Sequence, residues 1–344
     1  MTSAASARSI AVSGRLTSPV KRWRQGGGLS ARGLDIVAYG IPRRSDCFPL
    51  PPAKRSGMLS RNFMIPPART MAWRVPLLLA GILGTSMLLG LERYVIYLPE
   101  RTIEMTPQSE GLAFQDIWFP ASDGLKLHGW LVPAPDARVT LVWFHGNAGN
   151  IGHRVDNIKQ LHRYLHRPLI PNIFIFDYRG YGKSEGGFSD LSEEATYRDA
   201  EGALAYLRQR QDLAPTKVVY FGRSLGAAIA VEAARKQPPA GLILETPFTS
   251  IRDMAKVALP FLPVWGLVRT RYNSLEKIPE VRVPLLILHG DRDDVVPYEQ
   301  GRRLFEAANE PKTLYTIRGA RHNDTYIVGD RPYFAAWARF LQGL

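Results

Sequence analysis

The amino-acid sequence predicts an α/β fold in which helices cover both faces of a mostly parallel, eight-stranded sheet. From residue 114 onward, short apolar runs rich in β-branched and aromatic residues alternate with longer stretches of helical periodicity. This alternation is typical of parallel strands joined by crossover helices. Near residue 224, a tight turn with glycines joins one such run directly to an alanine-rich stretch. With 344 residues and 45% hydrophobic content, the chain can form the core that this fold needs.

The predicted elements follow a regular order. Two strands come first without a helix between them, and the turn at residues 122–124 joins them. We expect strands over residues 114–119, 125–132, 139–144, 172–176, 218–221, 242–245, 285–288 and 313–317. We expect helices over residues 151–166, 193–210, 227–235, 298–308 and 333–341. The region 249–283 interrupts the alternation and is interpreted as a short cap insertion.

The net charge of +13 is concentrated in residues 1–70. This segment carries twelve lysines and arginines against two aspartates, which leaves only about +3 of the +13 for the rest of the chain. A nucleic-acid-binding function is therefore not expected. The segment is rich in Ser, Arg, Gly and Pro without an apolar period, so we expect disorder. It is either a basic cytoplasmic tail or lies upstream of a true start at Met71 or Met64, and the apolar run after Met71 favours the second interpretation.

An uncharged run of seventeen residues, Val75–Leu91, follows the basic segment. As a helix it spans roughly 25 Å, slightly less than a bilayer core of about 30 Å, and aromatic residues on both sides can extend it. No small-x-small cleavage site follows, so we expect residues 71–98 to form an uncleaved membrane anchor rather than a signal peptide. Arginines before the run predict a cytoplasmic N-terminus and a globular domain outside the cytoplasm.

No cofactor and no metal are expected. The only cysteine, Cys47, lies in the basic segment, so the globular part has no cysteine-based metal site. The Gly-Lys-Ser at 182–184 resembles the end of a phosphate loop, but Asp177 stands where the first glycine is required. His162 and His166 are one helical turn apart without a third ligand and are interpreted as a solvent-facing surface. Ser184 is interpreted as structural.

The turn Gly222-Arg223-Ser224-Leu225-Gly226 predicts a nucleophilic serine. It has the G-x-S-x-G spacing, with a strand before it and a helix after it. Glycines at both ends let the strand and the helix approach closely, while a strained backbone lifts the Ser224 hydroxyl above the sheet at the positive end of a helix.

A serine hydroxyl needs a base, and the base needs a carboxylate that holds its tautomer. Two histidines follow Ser224 in the chain. His322 lies in a loop after the last predicted strand, where ligand chemistry gathers in open α/β sheets, and is therefore the expected base. His289 precedes a glycine at a strand end and is interpreted as a turn or core residue.

Three aspartates after the strand 285–288 compete for the acid position: Asp291, Asp293 and Asp294. Asp293 is favoured because the residues after Gly290 let the loop curl back under the histidine. Asp291 is the second choice. Glu245 is less favoured and is interpreted as ordering its own loop.

Acyl transfer also needs donors for the oxyanion. The N–H of Leu225, directly after the nucleophile, is one expected donor. The second is expected from the loop after the third strand, residues 145–150, which reads His-Gly-Asn-Ala-Gly-Asn. There Gly146 permits the backbone turn, and the N–H of Asn147 is the predicted donor.

Together these motifs resemble the Bem46-type branch of the α/β-hydrolase superfamily. The matching segments fall in register over about residues 107–344, and they are residues 145–150, 177–186, 222–226, 289–293 and 322–325. The resemblance implies an α/β-hydrolase domain over 107–344 with a triad of Ser224, Asp293 and His322. It also implies esters or thioesters of long acyl chains as substrates, and an N-terminal membrane anchor is common in such relatives.

The sequence thus predicts a membrane-anchored serine hydrolase that cleaves carboxylic ester or thioester bonds through an acyl-enzyme on Ser224. The expected partners are a small or lipid-like acyl ester and a membrane, whereas the oligomeric state stays open. The insertion 249–283 either lines an acyl groove or packs as a helix on the sheet edge. Two alternatives are a serine peptidase or amidase of the same fold and a non-catalytic scaffold that binds a lipid or a partner.

Overall fold

A computed structural model describes residues 92–344 except 215, 262 and 267. The predicted basic segment, 1–70, and the apolar run Val75–Leu91 lie outside the described residues. Within the described range, no helix is both long and apolar enough to span a bilayer. Residues 92–96 are helical, and the chain then enters a two-residue strand, Leu98–Pro99, so the helix expected to reach residue 98 ends before it.

The predicted eight-stranded sheet is confirmed. The strands are β1 Gln115–Pro120, β2 Lys126–Val132, β3 Val139–Phe144, β4 Asn172–Phe176, β5 Lys217–Arg223, β6 Gly241–Glu245, β7 Leu285–Gly290 and β8 Lys312–Ile317. Their spatial order is β8-β7-β6-β5-β3-β4-β2-β1. β1 pairs antiparallel with β2, β2 pairs antiparallel with β4, and all other neighbours are parallel.

Helices cover both faces of this sheet, as predicted. They are α1 Val155–Tyr164, α2 Glu193–Gln209, α3 Leu225–Lys236, α4 Ile251–Ala258, α5 Ser274–Lys277, α6 Tyr298–Ala307 and α7 Thr325–Gln342. The last helix begins eight residues earlier than the predicted 333. Its first turns precede a non-helical residue, Asp330, and Pro332, so the sequence pattern indicated only the segment after the kink.

Two apolar cores form on the two faces because successive side chains of a strand point to opposite sides. On β3, Val142 and Phe144 face the core that α2, α3 and α6 cover. Leu141 and Trp143 face the core that α1 and α7 cover. Every residue of β3 is buried, as expected for a central strand of a parallel sheet.

A small second sheet joins Leu98–Pro99 in parallel to Ala148–Gly149. Neither of its strands was predicted, since each is only two residues long and lies outside the apolar runs. The insertion 249–283 contains α4, α5 and two short 3-10 helices, Pro263–Gly266 and Ile278–Glu280.

Candidate active site

Ser224 lies in the turn between β5 and α3, with φ 53° and ψ −117°. This left-handed conformation is strained for a residue with a side chain. Close packing enforces it: a Cβ at Gly226 would lie 2.0 Å from the Phe144 carbonyl oxygen, and one at Gly222 would lie 2.5 Å from the Gly226 oxygen. The Ser224 N–H donates to the Glu245 carbonyl at 2.9 Å, which ties the turn to β6.

The structure brings together the three side chains that the sequence predicts as a triad. His322 Nε2 lies 3.1 Å from Ser224 Oγ. On the other side of the ring, Nδ1 lies 2.8 Å from Asp293 Oδ2. Both His322 and Asp293 have largely buried side chains. The three groups therefore have the contacts that a base needs to take a proton from the serine and an acid needs to orient that base.

The Asp293 carboxylate is fixed by its surroundings. Oδ1 accepts the N–H groups of Val295 and Val296 at 2.9 and 2.8 Å. Burial alone would raise the pKa of Asp293, but hydrogen bonds from His289, His322 and the Val295 amide outweigh it and hold this pKa well below its ordinary value. The group is therefore ionised at neutral pH, as an acid that orients a histidine must be.

The competing candidates have other partners. Asp291 accepts the N–H of Gly319, and Asp294 is exposed, with its Oδ1 3.4 Å from the His322 backbone nitrogen. His289 is fully buried, as its core interpretation requires. Its Nε2 lies 2.9 Å from the Val296 oxygen and 3.4 Å from Asp293 Oδ2, so it also supports the acid.

Arg223 is a site residue that the motif analysis missed. Its side chain is almost fully buried, and Nη2 donates to the His322 carbonyl at 2.7 Å. Nε lies 3.2 Å from Oε1 of Glu245, which is also buried. Glu245 in turn accepts the hydroxyls of Thr325 at 2.5 Å and Tyr333 at 2.6 Å. One signal was available in the sequence, because a charged residue stands directly before the nucleophile, where burial was expected.

The two predicted oxyanion donors lie beside the nucleophile. Asn147 and Leu225 line the same cleft as Ser224, and Leu225 is the first residue of α3. Within the described part of the chain, the N–H of Asn147 has no hydrogen-bond partner. Its carbonyl accepts the N–H of Leu98 at 3.1 Å and the hydroxyl of Tyr181 at 2.8 Å. Asn147 is therefore held through its own carbonyl, while its N–H, which belongs to the preceding peptide unit, is left as a donor.

A buried acid and a buried histidine support this loop from behind. His145 Nδ1 lies 2.7 Å from the Gly146 oxygen and donates to it, so Nε2 faces Asp177 Oδ1 at 3.5 Å as an acceptor. Burial raises the pKa of Asp177 to about 8 and lowers the pKa of His145 to about 3. Burial thus favours the uncharged form of both groups at pH 7.

Two minor expectations have different outcomes. Ser184 is buried, and its hydroxyl donates to the Asp177 carbonyl at 2.7 Å, which agrees with a structural role. His166 is exposed, whereas His162 is half-buried. Burial lowers the pKa of His162, so the interpretation of both as a solvent-facing surface is wrong for His162. The reason is that His162 lies one helical turn after the buried Ile158, on the packed side of α1, whereas His166 lies beyond the end of α1 at Tyr164.

Ser224 opens onto an apolar cleft of about 460 Å³, within the usual range for small-ligand sites. Three segments form its walls: residues 92–96, helix α4 of the insertion, and the loop after β7. The lining residues are Glu92, Val95, Ile96, Asn147, Ser224, Leu225, Phe248, Ile251, Met254, Ala255, Ala258, Leu259, Val268, Val295 and Val296. The insertion was expected either to line a groove or to pack as a helix on the sheet edge, and α4 agrees with the first alternative because it lines the cleft.

Comparisons with known proteins agree with this architecture. The family model described as serine aminopeptidase, S33, matches residues 135–271 and 261–325. The α/β hydrolase domain-containing protein WAV2 of Arabidopsis thaliana is 33% identical over 287 residues, which cover 76% of this chain and 91% of WAV2. Protein bem46 of Schizosaccharomyces pombe is 34% identical over 248 residues, which cover 69% of this chain and 79% of bem46.

A solved esterase of Pyrococcus furiosus has the same fold. The match has a TM-score of 0.59 at 20% sequence identity and covers 72% of this chain and 98% of the esterase. The fold and the family match together define the protein as a hydrolase of the α/β-hydrolase type. Within that class, the chain belongs to the Bem46-like family, as the sequence motifs indicated.

Proposed function

We propose that the protein is a serine hydrolase that cleaves carboxylic ester or thioester bonds through an acyl-enzyme on Ser224. One observation carries this proposal: the contacts from Asp293 through His322 reach Ser224 at the edge of an apolar cleft. The cleft suits an acyl chain, because its walls offer aliphatic side chains and few polar groups.

The geometry translates into a sequence of steps. His322 Nε2 takes the proton of the Ser224 hydroxyl while Oγ attacks the carbonyl carbon, and the oxyanion forms between the N–H groups of Asn147 and Leu225. The C–O or C–S bond then breaks, and the imidazolium returns the proton to the leaving alcohol or thiol. A water molecule, deprotonated by the same imidazole, releases the acid and restores Ser224. Asp293 stays ionised throughout and orients the ring.

A serine aminopeptidase is the second candidate, since the description of the matching family model names that activity. An aminopeptidase must bind the ammonium group of its substrate, which calls for an available carboxylate in the cleft. Among the described lining residues, Glu92 is the only acid, and it already accepts the backbone N–H groups of Arg269 and Thr270 at 3.3 and 2.7 Å. The ester or thioester reaction is therefore favoured. A non-catalytic scaffold is disfavoured because the triad contacts are complete.

Membrane anchoring N-terminal to residue 92, with the N-terminus in the cytoplasm and the hydrolase domain outside it, is also part of the proposal. The uncharged run Val75–Leu91 supports it. In the sequence this run leads directly into residues 92–96, which form one wall of the cleft. Two lining residues, Val95 and Leu259, leave 76% and 45% of their surface exposed. Such apolar exposure suits a cleft that opens near a lipid surface.

The chemical proposal is tested with a fluorophosphonate probe on the full chain in detergent. We expect labelling of the wild type and none of Ser224→Ala or His322→Ala. A p-nitrophenyl ester series, an acyl thioester and an aminoacyl p-nitroanilide then separate the candidates. Hydrolysis of the anilide alone would establish the peptidase instead, and a folded wild type that neither labels nor hydrolyses any of these would rule out the enzyme.

The topology is tested with an impermeant maleimide on intact cells. In the chain expressed from Met1, Cys47 is the only cysteine and lies before the proposed anchor, and Gln211→Cys places a second thiol on an exposed site of the hydrolase domain. We expect the thiol at 211 to react in intact cells and Cys47 only after permeabilisation. The opposite pattern would reverse the proposed orientation, and no membrane-bound fraction would exclude the anchor.

A further inference from the structure

Residues 92–102, here called the strap, lie against the loop that carries the proposed oxyanion donor, residues 145–150. The N–H of Leu98 donates to the Asn147 carbonyl at 3.1 Å, and the N–H of Glu100 donates to the Gly149 carbonyl at 3.2 Å. These are the hydrogen bonds of the small parallel sheet. The strap therefore contacts the carbonyl groups of Asn147 and Gly149, the two neighbours of Ala148 in the loop.

Asn150 fastens the two segments together. Its fully buried side chain donates from Nδ2 to the carbonyls of Glu100 at 3.1 Å and Thr102 at 2.7 Å. Its Oδ1 accepts the N–H of Gly152 at 2.9 Å. Of the short side chains, only a primary amide offers two donor hydrogens and an acceptor at once. Asn150, the last residue of the His-Gly-Asn-Ala-Gly-Asn motif, therefore links the loop to the strap, a role that the sequence motif alone did not explain.

The strap is itself fixed to the rest of the domain. Arg101 donates to the Ser184 carbonyl at 2.8 Å, and the Glu100 carbonyl accepts the N–H of Gly182 at 2.9 Å. Tyr97 is buried, and its hydroxyl lies 2.9 Å from that of Tyr272. These contacts fix the strap on the rest of the domain, and the strap can thus fix the position of the loop 145–150.

We propose that the strap belongs to the active site because it holds the oxyanion loop in place, and that Asn150 is a positioning residue for the oxyanion donor, the N–H of Asn147. This inference rests on the proposed serine-hydrolase function. The Asn147 N–H shares a peptide unit with the Gly146 carbonyl, which His145 Nδ1 contacts at 2.7 Å, but Gly146 leaves the backbone before this unit free to rotate, so fixing the N–H also requires ties on the C-terminal side of Asn147. The bonds from Leu98 and Asn150 supply these ties, while residues 92–96 form a cleft wall. The matching family model begins at residue 135, so the strap lies outside it.

The proposal has a kinetic consequence. A donor that is no longer held in place stabilises the tetrahedral intermediate less but leaves ground-state binding almost unchanged. In Asn150→Asp, the carboxylate keeps the acceptor for Gly152 but loses both donors and places charge against two carbonyl oxygens. We expect kcat for p-nitrophenyl butyrate to fall ~100-fold, the size of losing one oxyanion donor, with KM changed less than threefold.

Asn309→Asp is a matched control. Asn309 Nδ2 also donates to two backbone carbonyls, those of Pro279 at 2.7 Å and Val281 at 2.8 Å, in a part of the chain that lines no part of the cleft. Thermal unfolding is measured for both variants. Because Asn309 is only half-buried, we expect the control to lose less stability than Asn150→Asp does, and its kcat should stay within threefold of the wild type.

The second readout is binding of an alkyl trifluoromethyl ketone, which adds Ser224 Oγ to its carbonyl carbon and leaves an oxyanion in the same hole. We expect Asn150→Asp to weaken this affinity by the same factor as kcat and to leave inhibition by the product acid unchanged. If Asn150→Asp does not fold, Leu98→Pro is used instead, because it removes the hydrogen bond from the Leu98 N–H at a half-exposed position. Glu104→Pro is then the control.

Three outcomes are distinguishable. A wild type that reacts with neither the fluorophosphonate nor the ester refutes the proposed function and this inference with it. An active wild type with unchanged kcat and ketone affinity in Asn150→Asp, or in Leu98→Pro if the first variant is unfolded, overturns only the role of the strap. Equal loss of kcat in Asn309→Asp also overturns it, because the effect is then general loosening.

Discussion

Replacing Asp293 by asparagine tests the triad through one atom. Asp293 Oδ1 accepts two amide N–H groups, from Val295 and Val296, so the amide oxygen of Asn keeps that place. The new NH₂ group then takes the position of Oδ2, 2.8 Å from His322 Nδ1. Because NH₂ is a donor, Nδ1 must be the acceptor and the ring proton moves to Nε2. That proton faces Ser224 Oγ at 3.1 Å, and the base has no lone pair to receive another.

The expected loss follows from this tautomer. The same change in a serine-protease triad lowers kcat by about 10⁴, or roughly 5.4 kcal/mol of transition-state stabilisation at ~1.36 kcal/mol per tenfold. We expect Asp293→Asn to show this loss in kcat for p-nitrophenyl butyrate and in the second-order rate of fluorophosphonate labelling. Thermal unfolding should show a folded protein, since the two amide contacts remain.

Asp294→Asn is the control, because Asp294 is exposed and lies 3.4 Å from the His322 backbone nitrogen rather than from its ring. Its kcat should stay within threefold of the wild type. A result in which Asp293→Asn keeps more than a tenth of the activity would refute the reasoning. If Asp291→Asn lost activity instead, the acid would be Asp291, the second choice from the sequence.

Three further predictions concern the elbow, the buried pair and the cleft. Gly226→Ala places a Cβ 2.0 Å from the Phe144 oxygen, so we expect a destabilisation of about 3 kcal/mol or more in urea unfolding, and a change below ~0.5 kcal/mol would contradict the packing. Asp177, with a pKa of about 8, keeps its proton in the folded protein up to that pH but loses it in the unfolded chain, so its contribution lowers the free energy of unfolding as the pH rises. From pH 6.5 to 8 this contribution should amount to about 1.6 kcal/mol, and Asp177→Asn should remove it. Below pH 6.5 the lowered pKa of His145 gives the opposite slope, so the higher window is the informative one. Ala255→Trp fills part of the cleft, so a long acyl chain should lose the burial of two methylenes at ~0.8 kcal/mol each. The ratio of kcat/KM for the octanoyl ester to that for the acetyl ester should then fall roughly tenfold. An unchanged ratio would place the acyl chain elsewhere.

The sequence predicted the strands well because each is a short apolar run bounded by turn residues, and β3 and β4 match their predicted limits to the residue. The choice of Ser224, Asp293 and His322 as one cluster depended on spacing and chain order. Contacts that depend on register were beyond reach. Arg223 and Glu245 are partners across β5 and β6, a pairing that only the sheet reveals. The strap could not be predicted because it has no apolar periodicity. Backbone hydrogen bonds to a loop distant in sequence hold it instead.

Glu245 shows why the acid comes from the loop after β7 and not from the end of β6. Its two oxygens accept the hydroxyls of Thr325 and Tyr333, and Oε1 also faces the Arg223 guanidinium at 3.2 Å. Among the described residues, the hydrogen-bond and ion-pair partners of this carboxylate are the two hydroxyls and Arg223, and the His322 ring is not one of them. Glu245 instead fixes Arg223, which holds the backbone carbonyl of His322. A buried ion pair is weak evidence for stability, since desolvation offsets most of its attraction. The effect of the ion pair here is geometric. Glu245 fixes Arg223, which holds the backbone of the proposed base, His322, while a different carboxylate, Asp293, orients the His322 ring.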